Sequence, residues 1–594
     1  MRLGQRRGIA APGSLESQGP HRARPGLLPV PPREGLQDLR RGPAGGLGPV
    51  ARPARRFRSR FLPAAGAAIL RLVRELEHIL ALFVAAVLLA AAARRAGAPY
   101  PVFLAIGGAL LAFIPGAPSP VLPPELVLAL FVAPILVDAG YDASLRDLRE
   151  NWAPLVSLVI FAVGLTTAAV AAVAHALVPG LPWGAAIALG AIVAPPDAVA
   201  ATAVLRPLRP PQRILGILEG ESLLNDASAL LIYRLAVGAV AAGGFSVQAV
   251  APTFLLAVLG SLVAGPALGW LVQRLLEQVQ HIPTAIILQF VGTLTVWLVA
   301  EHVGLSGVLT TVCFAMTLGR TAPARTPARI RVPTNAVWAT VVFALNIFAF
   351  IFIGLQIRPI LVELPSSARE QYLLVAAAVL ATVILVRIGW HMSFNAVIRW
   401  RDRRHGFHPP RPMLRPTVGS GLVISWAGMR GIVTLAAALA LPGDFPARDL
   451  IVVTAFFVVL GTLLIQGLTL KSLLRALDLH DGDPVAREEH EARRRMLEAA
   501  YAQLPSGDAP AVNLVRKDLK IRLGQLQRGE GPHASFAVEY DSAYRGALRA
   551  ARQVLLAMRD SGDIGDDAFH TLENDLDWME VSDPLRAANA DATE

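Results

Sequence analysis

Hydrophobic residues run in blocks of about twenty along most of this chain, from about His78 to Leu474, with short polar interruptions between them. About thirteen blocks can be counted. They lie near 79–93, 99–115, 125–141, 152–178, 182–204, 214–240, 250–274, 284–302, 305–319, 335–357, 372–398, 421–441 and 449–471. Each can cross a ~30 Å hydrocarbon core as a helix. The pattern changes at both ends. Residues 1–77 are rich in Arg, Pro and Gly and are expected to be disordered. They carry no apolar stretch near Met1 and do not read as a secretory signal. Residues 477–594 are charged and helix-prone, with Met496, Leu497, Ala500, Tyr501 and Leu504 at helical spacing and a similar stretch from Phe536 to Met558. The pattern divides the chain into a disordered segment (1–77), a membrane domain (78–476) and a small solvated helical tail (477–594).

Composition agrees. The chain is 54% hydrophobic and 17% charged, against about 25% charged in soluble domains. Its one cysteine, Cys313, excludes an intrachain disulfide and a cysteine-based metal site. No cofactor and no nucleic-acid partner is expected. The net charge of +11 is unevenly distributed. Connections after odd-numbered blocks are basic. They carry Arg94 and Arg95, Arg146 and Arg149, Arg206, Arg209 and Arg213, Arg274, Arg320 to Arg331, and the run Arg399 to Arg415. Most connections after even-numbered blocks are short or nearly free of Lys and Arg. The positive-inside rule therefore puts the odd connections and the tail in the cytoplasm and the N-terminus outside. The basic N-terminal segment runs against that rule, although long segments can cross despite their charge.

Against this background the stretch Gly220-Glu221-Ser222-Leu223-Leu224-Asn225-Asp226 is anomalous. Each charge near a bilayer centre costs roughly 2.5–3.5 kcal/mol, so intramembrane charges are usually functional. Asp226 lies thirteen residues beyond Arg213, a rise of roughly 20 Å, near the membrane middle. Asp197 precedes Arg206 by nine residues, roughly 14 Å, on the preceding antiparallel span. Arg430 is fifteen residues past Arg415 and also near the middle. Glu221 and Asn225 share a helix face, and Ser222 and Asp226 share the adjacent one.

Asp197 follows Pro195 and Pro196, which remove two backbone donors and open the helix. Opened helices at membrane depth line cavities, and their exposed backbone can hold ions. A second weak point is Gly428-Met429-Arg430-Gly431, seven spans later. An odd offset makes the two spans run in opposite directions, as an inverted repeat requires. The expected fold is an all-α polytopic membrane protein of about thirteen transmembrane helices. Two inverted six-helix repeats, with broken helices crossing near the midplane, are followed by the helical tail. Asp138, Glu301 and Arg387 read equally well as pairs holding the bundle or as supporting charges. Arg430 suits a fixed counter-charge, and Glu219 and Arg234 read as interfacial.

Gly220 to Ala227 resembles the signature of the sodium/proton exchangers of the monovalent cation:proton antiporter superfamily. Ile135 to Tyr141 resembles the end of that family's third span. Ala300-Glu301-His302 with Leu305-Ser306-Gly307-Val308 resembles its eighth-to-ninth junction. Met429-Arg430-Gly431 resembles its penultimate span, and Gly562-Asp563-Ile564 to Leu576-Asp577 resembles bacterial tails. The resemblance implies that Asp226 binds cation and proton by turns, with Asn225 its partner in the electroneutral branch. It implies that Asp197 lies on the unwound helix, that Glu221 is at the site edge and that Arg430 is on the second broken helix. Na⁺ would be carried at Asp226 and Asp197, with Ser222 nearby. It further implies a homodimer in the bacterial inner membrane, with moving core domains. One position departs. Many members have Thr-Asp-Pro where this chain has Pro196-Asp197-Ala198, so a carbonyl, Ser222 or water must replace the threonine hydroxyl.

The mechanism expected is competition for one carboxylate: charged, it holds a cation; protonated, it reorients empty. If only the neutral or cation-loaded site reorients, exchange is obligatory. Three rivals stand beside Na⁺/H⁺ exchange: a K⁺/H⁺ exchanger of the same fold, a membrane-embedded hydrolase using Asp197 and Asp226 as a pair, and a channel.

Overall fold

The computed structural model describes residues 62–581, apart from 115–122, 209, 242–246, 364–368, 407–416, 480–483, 508, 528–534 and 562. Most of the N-terminal segment expected to be disordered, residues 1–61, therefore lies outside the described residues. Among the described residues the secondary structure is helical throughout.

The first helices are α1 (Leu62–Arg95), α2 (Tyr100–Leu111), α3 (124–142) and the short α4 (Leu145–Glu150). Helix α1 begins well before position 78, so residues 62–77, expected to be disordered, are helical. Then come α5 (Trp152–Leu177), the broken pair α6 (Trp183–Val193) and α7 (Ala198–Leu205), and α8 (Gln212–Ala241). Helices α9 (Val247–Glu277), α10 (Ile282–His302), α11 (Gly307–Arg325) and α12 (Ala328–Leu355) follow, with a short α13 (Ile357–Glu363). The long α14 (Arg369–His405) precedes a second broken pair, α15 (Val418–Trp426) and α16 (Ile432–Leu439), and then α17 (Arg448–Leu477). Each of the thirteen apolar blocks falls on one of these helices or broken pairs. Among the described residues, eight helical stretches are long and apolar enough to cross a membrane by length and composition.

Apolar side chains on α9 that a soluble protein would bury point outward, among them Leu256 and Val263, 70% and 71% exposed. Lipid is the solvent such a face suits. Inside, small residues let helices touch. A Cβ on Gly108 of α2 would strike the Ile351 carbonyl of α12, and one on Gly354 would strike the Ala105 carbonyl in return. One large core joins α2, α5–α8, α12 and α14–α17. A second region joins α3 with α9–α12. A third cluster ties α3 to α8 through Leu136, Leu223 and Ala227.

The tail forms α18 (Pro484–Ala502), α19 (Pro510–Gln527), α20 (Ser535–Asp560) and α21 (Asp566–Val581). They pack as two pairs, α18 with α19 and α20 with α21. Helix α18 covers the first predicted stretch from Met496 to Tyr501, with Leu504 just past its end, and α20 covers Phe536 to Met558. Arg146 of α4 reaches Glu488 of α18 at 3.2 Å.

Candidate functional site

The first break arises from proline chemistry. Pro195 and Pro196 break α6, and the N–H groups of Asp197 and Ala198 turn to the Met429 carbonyl and Ser222 Oγ, so the Val193 and Ala194 carbonyls lose their helical donors. Arg430 takes them: its Nε donates to the Val193 carbonyl at 3.0 Å and an Nη to the Ala194 carbonyl at 3.1 Å. Its other Nη donates to the carbonyl of Gly428. Arg430 is only 1% exposed. A buried guanidinium is tolerable when its donors are all engaged, and here the broken backbone supplies the acceptors.

Asp197 restarts the chain as the N-cap of α7. Its Oδ1 accepts from Val199 N at 2.9 Å, satisfying one free donor of the new helix. Ser222 accepts from Ala198 N at 3.3 Å. Asp197 N donates to the Met429 carbonyl at 2.6 Å, so the two breaks cross in direct contact.

At the second break, Arg430 N donates to Thr462 Oγ1 of α17 at 3.0 Å. Its glycines give room. A Cβ on Gly431 would collide with the Asp197 carboxylate, and one on Gly428 with the Arg387 side chain. The crossing expected from Pro195, Pro196, Gly428 and Gly431 is therefore present in the geometry.

Helix α8 passes beside the crossing. Asn225 is fully buried and its Nδ2 donates to the Pro196 carbonyl at 3.4 Å. Its Oδ1 has no hydrogen-bond partner among the described residues. Asp226 is 7% exposed, and no protein donor among the described residues binds its carboxylate. It lies close enough to Asp197 for the two charges to repel. Two carboxylates and an unpartnered amide oxygen thus converge on the crossing. This is an oxygen donor set suited to a hard cation or a proton. Among the described residues no three His, Cys, Asp or Glu side chains gather as a metal-binding group.

Glu221, expected at the edge of this site, has both oxygens taken by Arg387 of α14, at 2.6 and 2.8 Å. Arg387 also donates to the Ser425 and Ile424 carbonyls, each at 3.2 Å, at the end of α15. The pair is buried, so it fastens α8 to α14 and α15. Glu301 lies elsewhere: it pairs with Arg234, and its Oε1 accepts from Gly307 N at 2.9 Å at the start of α11. Asp138 faces a separate cavity among α3 and α9–α12. Glu219 pairs with Arg206 at 2.9 Å, with both side chains largely exposed. Thr462 was missed by sequence reasoning. Its signal was legible: Thr454, Thr462 and Gln466 are buried polar residues inside an apolar block.

Comparison with known proteins agrees with this geometry. The model of the sodium/hydrogen exchanger transmembrane family matches residues 79–476. An uncharacterized Na⁺/H⁺ exchanger of Escherichia coli, YjcE, is 30% identical over 81% of this chain and 94% of its own length. The uncharacterized Na⁺/H⁺ exchanger Rv2287 of Mycobacterium tuberculosis is 31% identical over 87% of this chain and 98% of its own. A sodium, potassium, lithium and rubidium/H⁺ antiporter of Bacillus subtilis is 26% identical over 81% of this chain and 74% of its own. Among solved structures, the sodium proton antiporter MjNhaP1 of Methanocaldococcus jannaschii matches with a TM-score of 0.52 at 17% identity. That match covers 67% of this chain and 99% of that one, and it shows the same fold. The hydrolase alternative falls here, because these relatives are transporters rather than enzymes. The chain belongs to the sodium/hydrogen exchanger family, as a multi-pass membrane antiporter of cations and protons.

Proposed function

We propose that this antiporter exchanges Na⁺ for H⁺ by alternating access, with Asp226 as the carboxylate that holds cation and proton in turn. The observation that carries this reading is the contrast at the crossing. Arg430, Asp197 and the open backbone satisfy one another, while the Asp226 carboxylate and Asn225 Oδ1 have no protein donor among the described residues. Asp197 and the carbonyl of Pro196 complete the oxygen set, and Ser222 holds the first turn of α7 beside it. Pro196 offers no hydroxyl, so its carbonyl is the oxygen this position supplies.

Protonation neutralises Asp226, and so does a bound monovalent cation. Either form crosses low-dielectric surroundings more cheaply than the bare carboxylate. Exchange of one for one follows, and it is electroneutral. The half containing α5–α8 and α14–α17 is the moving core, and the half containing α3 and α9–α12 is the scaffold that pairs in a homodimer. The protein sits in the bacterial inner membrane among lipid, with its tail in the cytoplasm, as the loop charges support.

K⁺/H⁺ exchange on the same fold is the second reading, favoured by the several cations named for the Bacillus subtilis relative. Proteoliposomes with an internal pH dye decide between them. Recovery of the dye signal on adding Na⁺, and not K⁺, is expected. Recovery with K⁺ alone moves the assignment to the second reading. No recovery with any cation at any pH rejects both, and a channel is identified by cation flux without proton movement.

A further inference from the structure

Helix α3 works on two sides. On one, Leu136 joins the cluster containing Leu223 and Ala227 of α8, which flank Asn225 and Asp226. On the other, α3 closes a cavity of about 250 Å³ with α9, α10, α11 and α12. The cavity lies toward the end of the bundle that carries Arg274, Arg325, Arg329 and Arg331, which charge bias assigns to the cytoplasm.

The chemistry of its walls is specific. Asp138 and Asp142 both line it, and neither has an ion-pair or hydrogen-bond partner among the described residues. Gln273 lines it at 1% exposure. Its Nε2 donates to Thr326 at 3.4 Å, but its Oε1 has no hydrogen-bond partner among the described residues. Trp338 forms a rigid aromatic wall, stacked on Phe290 with centroids 4.2 Å apart and held by Nε1 donating to Gln289 at 2.9 Å. Tyr141 adds a second ring. Among the described residues Arg331 is the one lining cation, and its Nη1 donates to the Pro323 carbonyl at 2.9 Å.

We propose that this cavity binds a small organic cation: a protonated amine or guanidinium on a compact apolar body. Unpaired oxygens need a donor, and the two lining carboxylates exceed the one lining arginine, with Arg206 acting on both from outside the lining. The aromatic walls attract a cation through their faces. A bare inorganic ion leaves the apolar lining at Leu276 and Leu318 unused, and an anion is repelled by the carboxylates. Because α3 also packs on α8 beside Asp226, an occupant braces α3 and slows exchange. That consequence rests on the exchange reading above, whereas the binding does not.

Calorimetric titration of the full chain in lipid nanodiscs tests it, with benzylammonium, benzyl alcohol and benzoate as probes. Benzylammonium is expected to bind once per chain, benzyl alcohol at least about tenfold more weakly, and benzoate not at all. Asp138→Asn is expected to weaken benzylammonium at least about tenfold, and Trp338→Leu severalfold. Gln273→Leu serves in its place if Asp138→Asn does not fold. Asp226→Asn is expected to keep full affinity. Equal binding of the alcohol, unchanged affinity in the cavity variants, or no binding at all overturns the proposal. Loss of binding in Asp226→Asn places the cation at the crossing instead and also overturns it. The exchange reading is unaffected by any of these results, since it is read from proton movement.

Discussion

Helix α8 carries two buried carboxylates about a turn apart, and they live in opposite conditions. Glu221 has both oxygens held by Arg387. Asp226 has no protein donor among the described residues and sits against a second carboxylate. Burial alone therefore does not mark a transport residue. A buried charge with every lone pair occupied is a fastener. A buried charge left open beside broken backbone is available for exchange, because an incoming ion or proton supplies what the protein withholds.

The largest expected effect falls on the open carboxylate. Asp226→Asn should abolish cation-dependent proton movement in proteoliposomes while leaving the elution profile and melting behaviour of the purified protein near wild type. An active Asp226→Asn variant would erase the contrast between the two carboxylates. In the wild type, proton and cation compete for one group, so acidification raises the apparent KM for the cation. With one proton displaced per cation, the rise approaches about tenfold per pH unit on the acid side and vanishes on the alkaline side. A KM flat across that range separates the proton site from the cation site.

The paired carboxylate should fail differently. Glu221→Gln leaves the Arg387 guanidinium buried without its counter-ion, and removing one partner of a buried pair costs about 3–5 kcal/mol. Thermal melting in detergent should fall accordingly. Replacing both residues by apolar ones, Glu221→Leu with Arg387→Met, should recover most of that loss, because no charge is left stranded. It should also retain exchange. A double variant that melts normally but moves no protons would give Glu221 a direct part in ion handling.

These two roles were only half legible in the sequence. Loop charges and helix rise placed Asp197, Asp226 and Arg430 at similar depth, and the prolines and glycines marked the breaks. The structure brings the two breaks into contact with Asp226 beside them, and both inferences depend on spacing along one chain. Which cation meets which carboxylate depends on how helices far apart in sequence pack. Arg387 and Glu221 are separated by 166 positions, and nothing in either segment names the other. Glu301 and Asp138 were ambiguous for the same reason, and the structure sends them to the α11 start and a separate cavity. The helix over 62–77 was missed because its first turns are weakly patterned and adjoin an Arg- and Pro-rich segment.

A smaller effect is expected at the joint between the breaks. Arg430→Lys keeps the charge but loses the planar fork, and one ammonium cannot serve the Val193, Ala194 and Gly428 carbonyls together. Each hydrogen bond to a charged group is worth about 1.5–3 kcal/mol. Melting should therefore drop by about that amount, with exchange slowed rather than lost. Full activity and stability in Arg430→Lys would mean that the breaks hold their geometry without the fork.

The smallest effect concerns Ser222, on the same α8 turn as Glu221. Its Oγ accepts from Ala198 N at 3.3 Å, at the edge of hydrogen-bond range. Ser222→Ala removes that acceptor but leaves the Asp197 cap on Val199 intact, so the loss should be near 1 kcal/mol. If Ser222 only steadies the start of α7, melting falls slightly and the cation KM is unchanged. If its hydroxyl supplies the cation with the side-chain oxygen that Pro196 lacks, the KM for Na⁺ rises while that for K⁺ moves less, because the smaller ion needs the tighter oxygen set. The ratio of the two KM values, rather than either alone, therefore tells whether this turn of α8 belongs with the fastener at Glu221 or with the open carboxylate at Asp226.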